Sequence, residues 1–258
     1  MSLLVVDSLA KSFGGVVAAN GVSFALDAGK LLAIIGPNGA GKSTIFNMVG
    51  GQLVPDGGRV TLDGHDITGQ PPRRIWRLGA GRTFQVAQTF VSMTVVENVQ
   101  MALISRNGRT RDCWGAATQM YRDEALALLD RVGMAADAER PSRELAYGDV
   151  KRVELAIALA GVPKLLLMDE PTAGMAPRER AQLMQLTATI ARQSRIGVLF
   201  TEHDMGAVFA HADRILVLVR GEIIAAGSPE AVRANARVRE VYLGEGGAAA
   251  ALARRAPA

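Results

Sequence analysis

The stretch Leu31-Leu32-Ala33-Ile34-Ile35-Gly36-Pro37-Asn38-Gly39-Ala40-Gly41-Lys42-Ser43-Thr44 decides the fold. Five apolar residues predict a buried strand, the glycines predict a tight loop, and Lys42 to Val49 reads as the helix that follows. Without side chains in the way, successive backbone N–H groups of such a loop curl around phosphate oxygens, and the helix N-terminus adds a favourable dipole. Lys42 is then expected to reach the β- and γ-phosphates of a nucleoside triphosphate, and the Ser43 hydroxyl to ligate Mg²⁺. Gly36, Pro37, Asn38, Gly39, Ala40, Gly41, Lys42, Ser43 and Thr44 together form the candidate cradle.

Further along the chain, apolar runs at Leu165 to Met168, Val198 to Phe200 and Ile215 to Val219 predict more buried strands. Helical patterns at Pro177 to Gln193 and Met205 to Ala210 alternate with them, which argues for an α/β core with a largely parallel sheet. Upstream, Leu3 to Leu9 and Val16 to Leu26 are half-exposed strand patterns that suit an antiparallel edge sheet. From about Val86 to Gly161 the strand signal disappears. Asp123 to Gly133 is an amphipathic helix with a glycine stop, and Arg143 to Ala160 is a second helical region. This stretch reads as a helical insert, and the tail from Gly246 as low-complexity disorder.

Two further sites of chemistry fall on the same predicted sheet edge. Asp169 ends an apolar strand, and ligands of open α/β sheets bind at the C-terminal edge of the strands. A carboxylate there can hold Mg²⁺ through water, while Glu170 beside it can polarise an attacking water. His203 follows the next strand, Val198 to Thr201, where it could hydrogen-bond a γ-phosphate. His65 and His211 have no such context and read as surface residues.

Composition narrows the function classes. A chain of 258 residues can bury a substantial core, and its formal charge of +4 comes from Lys and Arg scattered along the sequence. Seven Phe, three Tyr and two Trp, without aromatic–basic interleaving, argue against base stacking, so no nucleic-acid partner is expected. Cys113 is the sole cysteine; no internal disulfide can form, and a reducing compartment is expected. No apolar run approaches the ~20 residues that span a bilayer, so any membrane role must come through a partner.

The order of motifs resembles the nucleotide-binding subunits of ABC transporters, from Leu3 to Leu243. In that family a glutamine stands at the junction with the helical insert, and Gln85 in Arg82-Thr83-Phe84-Gln85 matches it. The resemblance implies that Gln85 contacts Mg²⁺ and water and senses the membrane partner. Leu145-Ala146-Tyr147-Gly148-Asp149 matches the signature usually written Leu-Ser-Gly-Gly-Gln, which places Ala146, Tyr147 and Gly148 against nucleotide. Asp169 and Glu170 match the Mg²⁺ ligand and the catalytic base, His203 the switch histidine, and Phe13 the aromatic that stacks on adenine. Ser43, Gln85 and Asp169 form the implied Mg²⁺ set; Lys42, Gln85, Glu170 and His203 form the catalytic one.

The implied architecture is a P-loop NTPase (RecA-like) α/β core of the ABC ATPase type. Residues 1–85 and 162–234 would form the ATP-binding core with an N-terminal antiparallel β subdomain. Residues 86–161 would form the helical signature subdomain, and 235–258 a C-terminal helix and disordered tail. Two such subunits, as a homodimer or heterodimer, would sandwich each ATP between one phosphate loop and the other subunit's signature helix. They would dock on two transmembrane permease subunits at the cytoplasmic face of a bacterial inner membrane, with a periplasmic solute-binding protein delivering cargo.

Finer features look like the branched-chain amino acid uptake ATPases: Met93-Thr94-Val95-Val96-Glu97-Asn98-Val99, Glu202-His203-Asp204-Met205, and Val238-Arg239-Glu240-Val241-Tyr242-Leu243-Gly244. Importers of urea, amides and aromatic acids share these features, and the lipopolysaccharide-export ATPase is similar in the tail. Three positions depart from the family pattern. Ala146 replaces the signature serine, whose hydroxyl would donate to the γ-phosphate, and Tyr147 replaces a glycine. Ala176 stands where an Asp or Asn usually joins the two sites.

Overall fold

The computed structural model describes residues 2–83, 89–108 and 119–243. Strands β1 (Leu4–Phe13), β2 (Val16–Leu26), β3 (Leu31–Ile35), β4 (Gly57–Leu62) and β5 (His65–Asp66) occupy the first quarter of the chain, with helix α1 (Lys42–Val49) between β3 and β4. Helix α2 (Pro72–Arg77) and strand β6 (Ala80–Thr83) follow, then three helices: α3 (Val95–Arg106), α4 (Arg122–Arg131) and α5 (Tyr147–Ala160). Next come β7 (Leu165–Asp169), α6 (Pro177–Ser194), β8 (Gly197–Thr201) and α7 (Met205–His211). The described chain closes with β9 (Arg214–Val219), β10 (Glu222–Gly227), α8 (Pro229–Ala234) and α9 (Ala236–Leu243).

These strands make two sheets. One is antiparallel, in the order β2-β1-β4-β5. The other runs β10-β9-β3-β8-β7-β6 and is parallel except for the β9–β10 pair. The parallel sheet is buried on both faces, and β3 shows how one strand serves two cores. Leu31, Ala33 and Ile35 pack into the cluster built with α3 to α7. Leu32 and Ile34 point the other way, into the cluster shared with β1, β2 and α1. Each of its four Leu and Ile side chains contributes about 1.5–3 kcal/mol of burial, which anchors the loop that leaves Ile35.

The predicted strands and helices of the core are present, with β1 extending to Phe13. Strands β4, β5, β6 and β10 were not expected from the apolar pattern. The helical region expected from Arg143 is broken: a single 3₁₀ turn spans Ser142–Glu144, Leu145 is extended, and α5 begins at Tyr147. Helix α3 opens on a capping box that the sequence spells as Thr94-x-x-Glu97. Thr94 N donates to Glu97 Oε2 at 2.8 Å, and Glu97 N donates to Thr94 Oγ1 at 3.3 Å. His65 is exposed as expected, whereas His211 is half-buried at the end of α7. Burial lowers the His211 pKa, and the Arg192 charge pushes it the same way. No helix among the described residues is long and apolar enough to cross a membrane. Cys113 and the tail from Gly246 lie outside the described residues.

Candidate functional site

The loop between β3 and α1 is held by close backbone contacts that only glycine permits. A Cβ on Gly36 would lie 2.1 Å from Leu218 O, and one on Gly41 would lie 2.1 Å from Ala18 O. Gly41 also has φ +102° at the N-cap of α1, where no side chain caps the first turn. Gly221 N donates to Ala40 O at 2.9 Å and ties the loop to the β9–β10 turn. Asn38, Gly39 and Ser43 are exposed, while Lys42 is buried and donates from Nζ to Gly36 O at 2.7 Å and Pro37 O at 3.2 Å. The ammonium is thus folded into the curve of the loop, beside the backbone that would meet phosphate.

Asp169 ends β7 two strands away, level with Thr201 at the end of β8. The Thr201 hydroxyl donates to Asp169 Oδ1 at 2.7 Å, fixing the carboxylate, and accepts from Glu170 N at 3.1 Å. Arg82 in β6 bridges this strand end to α1. Its Nη2 donates to Asn47 Oδ1 at 3.0 Å and lies 3.8 Å from Asp169 Oδ2. Burial lowers the Arg82 pKa, and the Asp169 charge opposes that shift.

Glu170 turns sharply off the strand at φ +48°. Its Oε1 lies 2.8 Å from His203 Nε2, which donates to it when protonated on that nitrogen. The structure therefore joins the candidate base and the candidate histidine directly. Phe13, at the tip of β1, is 46% exposed with Lys11 Nζ 5.6 Å from its ring centre. Gln85 lies outside the described residues.

The signature segment sits at the start of α5. Ala146 is the N-cap, with extended backbone (φ −64°, ψ 152°) and no side-chain cap. Gly148 faces α6, where a Cβ would meet the Glu179 carboxylate at 3.3–3.5 Å. Tyr147 is exposed, packs near Gly174, and carries Lys151 Nζ 5.5 Å above its ring. Several side chains that organise this edge had no role assigned from the sequence: Arg82 and Glu202, although both stand in motifs that carry the resemblance, and Thr172 and Thr201.

Residues 19–173 match the ABC transporter family. The chain belongs to that family. It is an ATP-binding cassette ATPase, and its α/β architecture is that of the P-loop cassettes. Residues 222–248 match a second pattern, that of the branched-chain amino acid ATP-binding cassette transporters. The high-affinity branched-chain amino acid transport ATP-binding protein LivG of Salmonella typhimurium is 39% identical over 94% of this chain and 98% of its own length. Among solved structures, the ADP conformation of MJ1267, an ATP-binding cassette of an ABC transporter, superposes with a TM-score of 0.85. That cassette is 33% identical, and the match covers 95% of this chain and 99% of the cassette. A dimeric post-hydrolysis state of the cassette MJ0796, bound to ADP and Pi, gives a TM-score of 0.73. It is 25% identical, and 88% of this chain and 98% of that one are covered.

Proposed function

We propose that this chain is the ATP-hydrolysing subunit of a bacterial ABC importer for branched-chain or related amino acids. The carrying observation is the match of residues 222–248 to the branched-chain cassettes, joined to a likeness to LivG along 94% of the chain. In this reading the core is residues 1–85 with 162–234, the helical subdomain is 86–161, and 235–258 is the C-terminal extension.

The chemistry follows from the sheet edge. The phosphate loop and Lys42 hold the β- and γ-phosphates, and Phe13 offers its ring to adenine. Glu170 takes a proton from the attacking water. His203, donating from Nε2 to Glu170, orients that carboxylate and can turn the same N–H to a γ-phosphate oxygen as a hydrogen-bond donor. One N–H serves one strong acceptor at a time, so the histidine registers whether phosphate is present.

The donor set fits Mg²⁺. Ser43 presents an exposed hydroxyl, Asp169 Oδ2 takes no part in the Thr201 contact and lies 3.8 Å from Arg82 Nη2, and Gln85 is the third proposed oxygen donor. A hydroxyl, a carboxylate and an amide oxygen are hard oxygen donors of the kind Mg²⁺ takes, and nucleotide phosphates and water would complete its shell. When bound, Mg²⁺ neutralises charge on the β- and γ-phosphates.

The chain would pair head to tail with a second ATPase subunit, its α5 N-terminus meeting the other subunit's γ-phosphate. A cavity of about 820 Å³ between α2, β6, α3 and α5 supports docking of a membrane subunit. Arg73, Trp76, Arg77 and Arg106 line it, and no carboxylate does among the described residues. Two permease subunits would hold the protein peripherally on the cytoplasmic face of the inner membrane, and a periplasmic solute-binding protein would supply cargo. The test is uptake. Cells carrying this chain with its two permeases and binding protein should accumulate labelled leucine, isoleucine or valine, and Glu170→Gln should stop it. Uptake of urea or amides with no leucine uptake would replace the cargo assignment and leave the motor intact.

A further inference from the structure

We infer that Glu202 is a positioning residue that sets Glu170 against His203, and thereby the rate of ATP hydrolysis once nucleotide is bound. The inference rests on the roles proposed above for Glu170 and His203. Asp169 and Thr201 are register partners, so β7 and β8 end side by side, and each releases a loop at the same level. The Glu170–His203 hydrogen bond crosses the gap between those loops. Thr201 of β8 holds the Glu170 end by accepting from Glu170 N at 3.1 Å, and His203 lies two residues beyond that contact.

Glu202 bridges the same gap from below. It is 4% exposed. Its Oε1 accepts from Thr172 N at 2.9 Å and Thr172 Oγ1 at 2.6 Å, and its Oε2 accepts from His203 N at 3.2 Å. Thr172, two residues past Glu170, is 1% exposed. One carboxylate therefore fastens the backbone just beyond the base to the backbone of the histidine itself. Glu202 forms no ion pair with a cation among the described residues, so the burial of its charge is compensated through its hydrogen-bond donors. A carboxylate suits this task because both oxygens accept. A glutamine there must turn an NH₂ either on Thr172 N or on His203 N, donor against donor.

A second strap closes the far end of the loops. Arg180 in α6 pairs with the Asp204 carboxylate and donates from Nη2 to Met175 O at 3.1 Å. Asp204 in turn caps α7 by accepting from Ala207 N at 3.1 Å. The loops are thus tied on both sides of the Glu170–His203 contact. Glu202 is the tie that reaches His203 directly.

The test is steady-state ATPase kinetics on the full chain carrying Glu202→Gln, with Thr172→Val as a second variant that removes the hydroxyl donor and keeps its shape. Glu202→Gln should lower kcat about tenfold, as expected for one charge-assisted hydrogen bond lost at an unsatisfied donor. KM for ATP should stay within about twofold of the parent, because the phosphate loop and Phe13 are untouched. Thr172→Val should lower kcat in the same direction by a smaller factor, again at constant KM, and it decides the question alone if Glu202→Gln does not fold. Unchanged kcat in the soluble variants overturns the inference. So does a fall in kcat that comes with a raised KM and a lowered melting temperature, since that is damage to the fold. Glu170→Gln run in parallel separates the two levels. If it leaves turnover intact, the role of the base is wrong; if it abolishes turnover while Glu202→Gln does not lower it, only the positioning role fails.

Discussion

The two segments of the chain proposed to meet nucleotide are built differently. At the phosphate loop, the backbone is locked from behind: Gly36 and Gly41 press on Leu218 O and Ala18 O, and the Lys42 ammonium is tucked against the loop carbonyls. At the signature, α5 begins on an alanine that caps nothing, and Gly148 faces only the tip of the flexible Glu179 side chain. One segment is preorganised by both of the chain's own sheets, through Leu218 in β9 and Ala18 in β2. Both α1 and α5 leave the first turn of N–H groups uncapped by any side chain, so the difference lies in the packing behind the phosphate loop. In the proposed head-to-tail pairing, such a chain would bind nucleotide on its own phosphate loop and gain the signature contacts only when two subunits close.

The largest break in that comparison should come from the chemistry on the rigid edge. Glu170→Gln keeps the shape of the side chain but cannot accept a proton, so turnover should fall by about 10²–10³-fold. Nucleotide should still bind, and an ATP-dependent dimer should accumulate on a sizing column. A Glu170→Gln chain that stays monomeric with ATP, both alone and with its partner ATPase, would contradict head-to-tail closure.

Paired glycine substitutions test the structural difference itself. Gly41→Ala forces a side chain onto Ala18 O at φ +102°, and should cost about 3 kcal/mol of stability from strain and overlap. Gly148→Ala sits inside a helix with only a movable carboxylate in the way. It should shift stability by under about 1 kcal/mol, in the stabilising direction if Glu179 swings aside. Denaturant melts of both variants check this, and equal losses would mean that the signature end is as tightly packed as the phosphate loop.

The rigid edge was also the part most legible in the sequence. β3, β7 and β8 announce themselves because they are buried on both faces and so read as unbroken apolar runs; the glycines of the loop then mark where the chain must turn. β6 (Ala-Gly-Arg-Thr) and β10 (Glu-Ile-Ile-Ala-Ala-Gly) carry no such run, because a strand at a sheet edge is defined by its neighbour, which lies far away in sequence. The same holds for side chains. Placing Asp169, Glu170 and His203 on one edge needed only strand ends, but the carboxylate of Glu202 reaches back thirty positions to Thr172, and no local pattern encodes that. His211 was misread for a similar reason: a lone histidine near the end of a short helix gives no sign of what packs over it.

The smallest expected effect bears on the signature segment. Ala146→Ser restores a hydroxyl at the N-cap of α5, where the extended backbone already has the conformation a capping serine adopts. Such a hydroxyl has two separable uses. Its oxygen can accept from an N–H of the first turn, which should stabilise the isolated chain by about 1 kcal/mol. Its proton stays available to a γ-phosphate oxygen, because accepting and donating use different parts of the group. If the second use is realised, turnover at the site this signature completes should rise about fivefold, equivalent to about 1 kcal/mol in the transition state. A higher melting temperature with unchanged turnover would show that the N–H groups of α5 and Gly148 already meet the phosphate in full. The signature segment would then lack a cap for its own helix, while lacking nothing that its partner's nucleotide requires.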